Sequence, residues 1–204
     1  MEQSLRARLR AGEAQAFGEL FDEHAAAVYR HGLRLTGDRL AAEDVVSTTF
    51  LHAWRQRDRI DLDGGSLLPW LLGIATNVVR NLDRRHRRDR DLLARLSTRD
   101  QAPDVADEVA AQVDDERELA AVRAALAALR PAEREVIALC VWAELDYAAA
   151  AKALGVPIGT VRSRLARARR KLMRLRGEPD PDPGQVHSGR PIVASRPTPE
   201  AVHD

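Results

Sequence analysis

The stretch that most constrains the fold of this 204-residue chain is Asp146–Arg170. Asp146 is placed to cap a short helix, Tyr147 to Leu154, and Gly155 to end it in the left-handed conformation. Pro157 and Thr160 then help to start a second helix. Ala151 stands four residues before Gly155 and Val161 six residues after it. Two helices joined by so short a turn cross closely. They need a small residue at the crossing, glycine in the turn and an apolar anchor on the second helix. The spacing therefore predicts a helix-turn-helix. Its second helix has two faces. Val161, Leu165, Ala168, Leu172 and Leu175 form an apolar seam, while Arg162, Ser163, Ala166, Arg167 and Arg170 project elsewhere. Residues 162–176 hold eight basic residues and no acidic one. Alone, that run would suit the solvated face of a bundle. Behind a capped helix with the Ala/Gly/Val spacing, it points instead to a helix presented to the major groove of DNA.

The remaining composition agrees with an all-α fold. Hydrophobic residues make up 45% and charged residues 31%, enough apolar material for a core. Ala, Leu and Arg dominate, aromatics are 4%, and β-branched runs are short, which argues against a sandwich or barrel. No apolar run approaches the roughly 18 residues of a membrane span, so no membrane insertion is expected. Met1–Arg10 is charged and lacks the apolar stretch of a secretory signal. Cys140 is the only cysteine, which excludes an internal disulfide and points to a reducing cytoplasm.

Charge divides the chain. Residues 1–90 hold 15 basic and 13 acidic residues, 91–118 hold 3 and 9, 119–176 hold 12 and 4, and 177–204 hold 2 and 5. A near-neutral total thus conceals a segment of 58 residues with a net charge of +8. Lys152 and Lys171 are the only lysines. Arginine binds phosphate and base edges better than lysine, but Arg and Ala enrichment also follows from a GC-rich genome. The pattern predicts two small helical domains, 14–90 and 119–176, joined by an acidic flexible linker, 91–118, and followed by a Pro-rich disordered tail, 177–204. In the first domain, Phe17, Leu20, Phe21, Val28 and Leu35 recur at helical spacing. Gly37-Asp38 is a stop and a cap, and Ala42, Val45, Val46, Thr49, Phe50 and Ala53 form the stripe of the next helix. Ser66 and Pro69 start a third helix, with Leu71, Ile74, Ala75, Val78 and Leu82 on one face and Gly73, Asn77, Arg80, Asn81, Arg84 and Arg88 on the other. In the second domain, Leu119, Val122, Leu126 and Leu129 precede a helix opened by Pro131, whose buried stripe is predicted as Val136, Ile137, Cys140 and Val141.

Two separate stretches resemble the extracytoplasmic-function (ECF) sigma factors, two-domain bacterial transcription initiation factors. One is Ala42-Glu-Asp-Val-Val-Ser-Thr-Thr-Phe-Leu-His-Ala-Trp-Arg55, with Leu67-Leu-Pro-Trp-Leu-Leu-Gly-Ile-Ala-Thr-Asn77 and the Arg-rich run to Arg90, similar to the family's region 2. The other is Leu129-Arg-Pro-Ala-Glu-Arg-Glu-Val-Ile137 with Tyr147–Arg169, similar to region 4. The resemblance implies an initiation factor without chemistry of its own. It would bind core RNA polymerase and promoter DNA, and family members are often held inactive by an anti-sigma factor.

The resemblance also distributes roles. Asp44 matches the family's acidic position facing the polymerase clamp, and Thr48, Leu51 and Arg55 share its docking face. The family usually has Gln then Glu where this chain has Ser47 and Thr48. Asn77 matches the position that contacts the melted minus-ten strand. Arg80, Arg84, Arg85, Arg87 and Arg88 supply the basic track that unstacked DNA requires. The 57–66 loop matches the segment that pockets a flipped base, but it is Asp/Gly-rich and has no aromatic. Trp54 and Trp70 are read as core anchors rather than stacking platforms. Arg162, Ser163 and Arg167 match the minus-thirty-five contacts, with Ala166 placed to meet a thymine methyl. Arg164, Arg169, Arg170 and Lys171 are assigned to phosphates. A relaxed 28-residue linker spans roughly 30 Å, against roughly 70 Å between elements two duplex turns apart. The linker is therefore predicted to stretch along the polymerase.

No cofactor is expected. The six histidines lack partners at metal-ligand spacing, and no phosphate loop, nucleophile elbow or Cys-His pair is present. Two rival readings stand beside the sigma-factor one. A conventional operator-binding regulator would bind duplex DNA alone, and a helical sequestering protein would not bind it at all.

Overall fold

The computed structural model describes residues 4–63, 65–96 and 126–175, and their regular structure is entirely helical. The order is α1 (Leu5–Ala11), α2 (Ala14–Thr36), α3 (Arg39–Arg55), a short 3₁₀ turn (Arg57–Arg59), α4 (Leu68–Leu96), α5 (Pro131–Ile137), α6 (Tyr147–Leu154) and α7 (Ile158–Leu175). Most of the predicted linker, the start of the predicted second domain and the tail lie outside the described residues.

Local chemistry sets the helix ends. Gly37 closes α2 at φ 73°, and Asp38 Oδ1 accepts from the Ala41 amide at 3.0 Å to cap α3. Ser66 Oγ accepts from the Leu68 amide at 3.1 Å at the head of α4. That helix continues through residues 91–96, where the sequence predicts linker, because no Gly or Pro interrupts it there. The sequence also gave no sign of α1. Its seven residues hold one buried side chain, Leu9, and only the left-handed Gly12 and Glu13 separate it from α2.

Helices α2, α3 and α4 close the first core around Leu20, Val28, Val45, Phe50, Leu71, Ala75 and Val78. Burial of each large aliphatic side chain stabilises such a core by about 1.5–3 kcal/mol. Phe17 meets Trp54 edge-on at 4.9 Å, which anchors that tryptophan in the helical packing. Phe21 departs from its predicted core position: it is 44% exposed, with its ring 4.8 Å from that of Phe50.

His31 is buried between α2 and α4. Thr76 Oγ1 donates to the Leu72 carbonyl at 2.8 Å, so its lone pair must receive His31 Nε2–H at 2.9 Å. Burial, with a contribution from Arg34, pushes the His31 pKa down to about 4. The unfolded chain therefore takes up a proton near pH 6.5 that the folded chain refuses until about pH 4. Stability should fall as pH drops through this window, by up to about 3 kcal/mol in total. Urea unfolding at stepped pH tests this. A His31→Gln variant with the same slope as the wild type would assign it elsewhere.

The second core gathers Leu129, Val136, Ile137, Leu139, Leu154, Val161 and Leu165. The Arg130 amide donates to Glu133 Oε2 at 3.0 Å, closing the first turn of α5. After Ile137 the helix widens to a π-turn over Ala138–Trp142. The extra residue rotates the side chains that follow. Ala138 and Leu139 become buried, whereas Val141, predicted in the stripe, is 41% exposed.

The two cores pack together through α4. Gly73, which the pattern places on the polar face, is buried where α6 crosses. A Cβ on Gly73 would lie 2.6 Å from the Ala153 carbonyl oxygen. Arg80 and Glu135 form a two-point ion pair at 2.6 Å, and the Arg34 guanidinium lies 5.1 Å over the Trp142 ring.

Candidate nucleic-acid interface

The helix-turn-helix is built as its residues require. Asp146 Oδ1 accepts from the Ala149 amide at 2.7 Å, and Gly155 adopts φ 65°. The Val156 amide returns to the Ala151 carbonyl at 3.1 Å, completing the turn. Ala151 is buried at the crossing, and Val161, Leu165 and Ala168 seat α7 on its own domain. This fixes the rotation of α7. Arg162, Ser163, Arg167 and Arg170 are exposed, while Arg164, Ala166, Arg169 and Lys171 are half-buried.

Several of these side chains are held. Arg162 lies 5.8 Å from the Tyr147 ring centre, Ser163 Oγ donates to the Thr160 carbonyl at 3.0 Å, and Arg167 Nε donates to the Ser163 carbonyl at 3.2 Å. Such local contacts pre-order an exposed Arg/Ser face. One residue assigned to phosphate is otherwise engaged. Lys171 Nζ donates to the Ala128 carbonyl, tying α7 to residues 126–128. Burial pushes the Cys140 thiol up to about 11, with the positive charge of Arg169 opposing the shift.

A second basic surface runs along α4. Asn77, Arg84, Arg85, Arg87 and Arg88 are exposed. Arg84 donates to Asn81 Oδ1 at 2.5 Å and Arg87 Nε to the Asp83 carbonyl at 3.2 Å, spacings that keep the row extended along the helix. Arg80 stands apart. Its guanidinium is committed to Glu135, and it also donates to Asn77 Oδ1 at 3.1 Å. The hydrogen bonds it donates to Glu135 hold its pKa above the usual arginine value. Sequence reasoning missed the pairing of Glu135 with Arg80. The one available signal was an acid inside an otherwise apolar stripe, next to Val136 and Ile137.

On α3, Ala42, Val45, Thr49, Phe50 and Ala53 of the predicted stripe are buried, and Val46 is half-buried. Asp44, Leu51 and Arg55 are exposed, and Thr48 is half-buried beside them. Leu51, 48% exposed, gives this face an apolar centre flanked by charge.

Two basic helical surfaces on two small domains, one of them a helix-turn-helix, narrow the choice, and comparison with known proteins decides it. The family model for sigma-70 region 2 matches residues 20–89, and that for sigma-70 region 4 matches residues 119–172. The chain is 38% identical over 165 residues to the ECF RNA polymerase sigma factor SigL of Mycobacterium tuberculosis, covering 79% of this chain and 89% of that one. The chain belongs to the ECF RNA polymerase sigma factors. It is also 34% identical over 182 residues to the sigma factor NccH of Alcaligenes xylosoxydans xylosoxydans, covering 86% of this chain and 94% of that one. Among solved structures, CnrH in complex with the cytosolic domain of CnrY matches with a TM-score of 0.63 at 28% identity, over 86% of this chain and 96% of that one. The sigma factor RpoE of Bartonella quintana, in complex with the anti-sigma factor NepR, matches with a TM-score of 0.61 at 26% identity, over 80% and 98%. The α4 track of this sigma factor falls in the region 2 match, and α6–α7 fall in the region 4 match. No described helix is long and apolar enough to cross a membrane.

Proposed function

We propose that this sigma factor reads a two-part promoter, with α7 on duplex minus-thirty-five DNA and α4 along the melted minus-ten strand. The observation that carries the reading is the exposed Arg162–Ser163–Arg167 face on a capped helix-turn-helix whose opposite face is packed through Val161, Leu165 and Ala168. Arg162, Ser163, Ala166 and Arg167 meet base edges, and Arg164, Arg169, Arg170 and Lys171 lie toward phosphates. Asn77, Arg80, Arg84, Arg85 and Arg88 guide the single strand, and the loop between α3 and α4 receives an unstacked base. Asp44, Thr48, Leu51 and Arg55 dock on the polymerase clamp. The protein acts in the cytoplasm as a binding and melting factor, and the polymerisation chemistry belongs to the core enzyme.

The packing between domains bears on how this happens. With Gly73 against Ala153 the two domains are in contact, whereas elements two duplex turns apart lie roughly 70 Å from each other. The domains therefore separate when polymerase and promoter bind, and Arg80 leaves Glu135 to join the track. CnrH and RpoE were solved with CnrY and NepR, and by that likeness an anti-sigma partner is assigned to this chain too.

Docking is tested by replacing Leu51 with Arg and measuring affinity for sigma-free core polymerase. Leu51 is on the surface, so helicity and duplex binding should persist. Core affinity should fall about tenfold or more, as for a central interface anchor. Unchanged affinity would remove α3 from the docking surface.

A further inference from the structure

Helix α1 precedes the region 2 match, which starts at residue 20, and it reaches the loop between α3 and α4. The Arg6 guanidinium donates from one terminal nitrogen to the Asp61 carbonyl and from the other to the Gly65 carbonyl. One side chain thus spans the loop. The loop's ends are already fixed by Ile60, 3% exposed, and Leu67, 7% exposed. Between them Asp61, Leu62, Asp63, Gly65 and Ser66 are exposed, with the Asp63 amide turned back onto Asp61 Oδ1 at 3.2 Å. Leu62 offers apolar surface at the tip.

The clamp itself is anchored. Leu9 is fully buried, and Arg8 pairs with Glu13 at 2.8 Å and Glu19 at 3.0 Å, which ties α1 to α2. At Gly12, with φ 79°, a Cβ would come 3.2 Å from Arg57 Nε. Arg57 in turn lies 4.8 Å over the Trp54 ring and donates to the Trp54 carbonyl at 2.9 Å. The base of the loop and the α1–α2 turn therefore pack as one unit, from which Arg6 reaches the exposed part. A planar fork suits two carbonyls at once, which a lysine ammonium cannot match in geometry.

We infer that Arg6 is a positioning residue: its two hydrogen bonds set the α3–α4 loop in the shape that receives an unstacked base of the melted strand. This deepens the promoter reading above and rests on it. The arginine touches no base. It acts by removing loop conformations in advance, so the free energy of ordering the loop is not drawn from DNA binding.

Two measurements on the full chain test it. The first is amide hydrogen exchange in wild type, Arg6→Ala and Arg6→Lys without polymerase. In Arg6→Ala, exchange across residues 57–66 should rise about tenfold, the size expected from losing bonds to a charged donor, with α3 and α4 unchanged. Unchanged exchange in the loop would overturn the clamp. The second uses each variant with core polymerase to select from duplex DNA carrying a randomised single-stranded segment. Wild type should enrich one sequence. Arg6→Ala should lose about tenfold discrimination at one base position, with minus-thirty-five preference unchanged and partial recovery in Arg6→Lys. Uniform loss at all positions, or no loss, would overturn the positioning role. If wild type enriches nothing, the promoter reading of the loop fails and the base-receiving role with it, while exchange still judges the clamp.

Discussion

Replacing Gly73 with leucine is expected to drive the two domains apart without unfolding either. A Cβ at this position would sit 2.6 Å from the Ala153 carbonyl oxygen and 3.1 Å from its Cα. Both are backbone atoms of α6, so no side-chain adjustment relieves the clash. The helix itself gains, since Gly in a helix interior costs roughly 0.5–1 kcal/mol relative to a good helix former. The strain therefore falls on the contact between domains. Small-angle scattering should show a larger radius of gyration than wild type at equal helix content. The closed packing also holds Arg80 on Glu135. Relieving it should lower the protein concentration needed for half-maximal transcript yield about tenfold, within the usual 1–3 kcal/mol of coupling between states. Unchanged scattering and unchanged yield would show that this contact does not oppose promoter engagement.

Changing Arg162 and Arg167 together to alanine is expected to erase minus-thirty-five selectivity. Both are exposed, and the neighbours that seat α7 are Val161, Leu165 and Ala168, which the change leaves in place. Each lost base-edge contact costs about 1–3 kcal/mol, so the pair should weaken the preferred sequence by roughly 10²–10⁴-fold. Competition binding with matched and scrambled minus-thirty-five duplexes reads this. The ratio between them should collapse toward one, with non-specific affinity falling far less. Equal weakening on both duplexes, with a shallower salt dependence, would reassign these arginines to phosphate.

What was legible in the sequence follows from which physics acts locally. Gly37-Asp38, Ser66 and the Asp146–Gly155 pair announced their helix ends because a cap needs only its own turn. The α3 stripe and the α7 seam as far as Ala168 could be read from spacing because one face of each packs on its own domain, whereas Leu172 is half-buried and Leu175, predicted in the seam, is exposed. The exposed residues Arg162, Ser163 and Arg167 followed from the same periodicity, as what the seam leaves outside. The pattern failed where the partner is distant or the period changes. Gly73 looked like a polar-face residue because spacing reports a face, not what covers it, and its cover is α6, some 80 residues later. Glu135 and Arg80 meet across 55 residues, beyond any local signal. Val141 was misplaced because the π-turn breaks the 3.6-residue period after Ile137. Helix α1 is too short to show a period, and its Arg6 finds its partners in a loop without regular pattern.

The central claim, that this sigma factor directs polymerase to a two-part promoter, is tested most directly by run-off transcription. The purified chain is mixed with sigma-free core RNA polymerase and fragmented genomic DNA from its source, and transcript 5′ ends are sequenced. New start sites that share two upstream elements about two duplex turns apart are expected, and their loss when Arg162 and Arg167 are replaced. No new start sites, together with tight duplex binding by the chain alone, would contradict it.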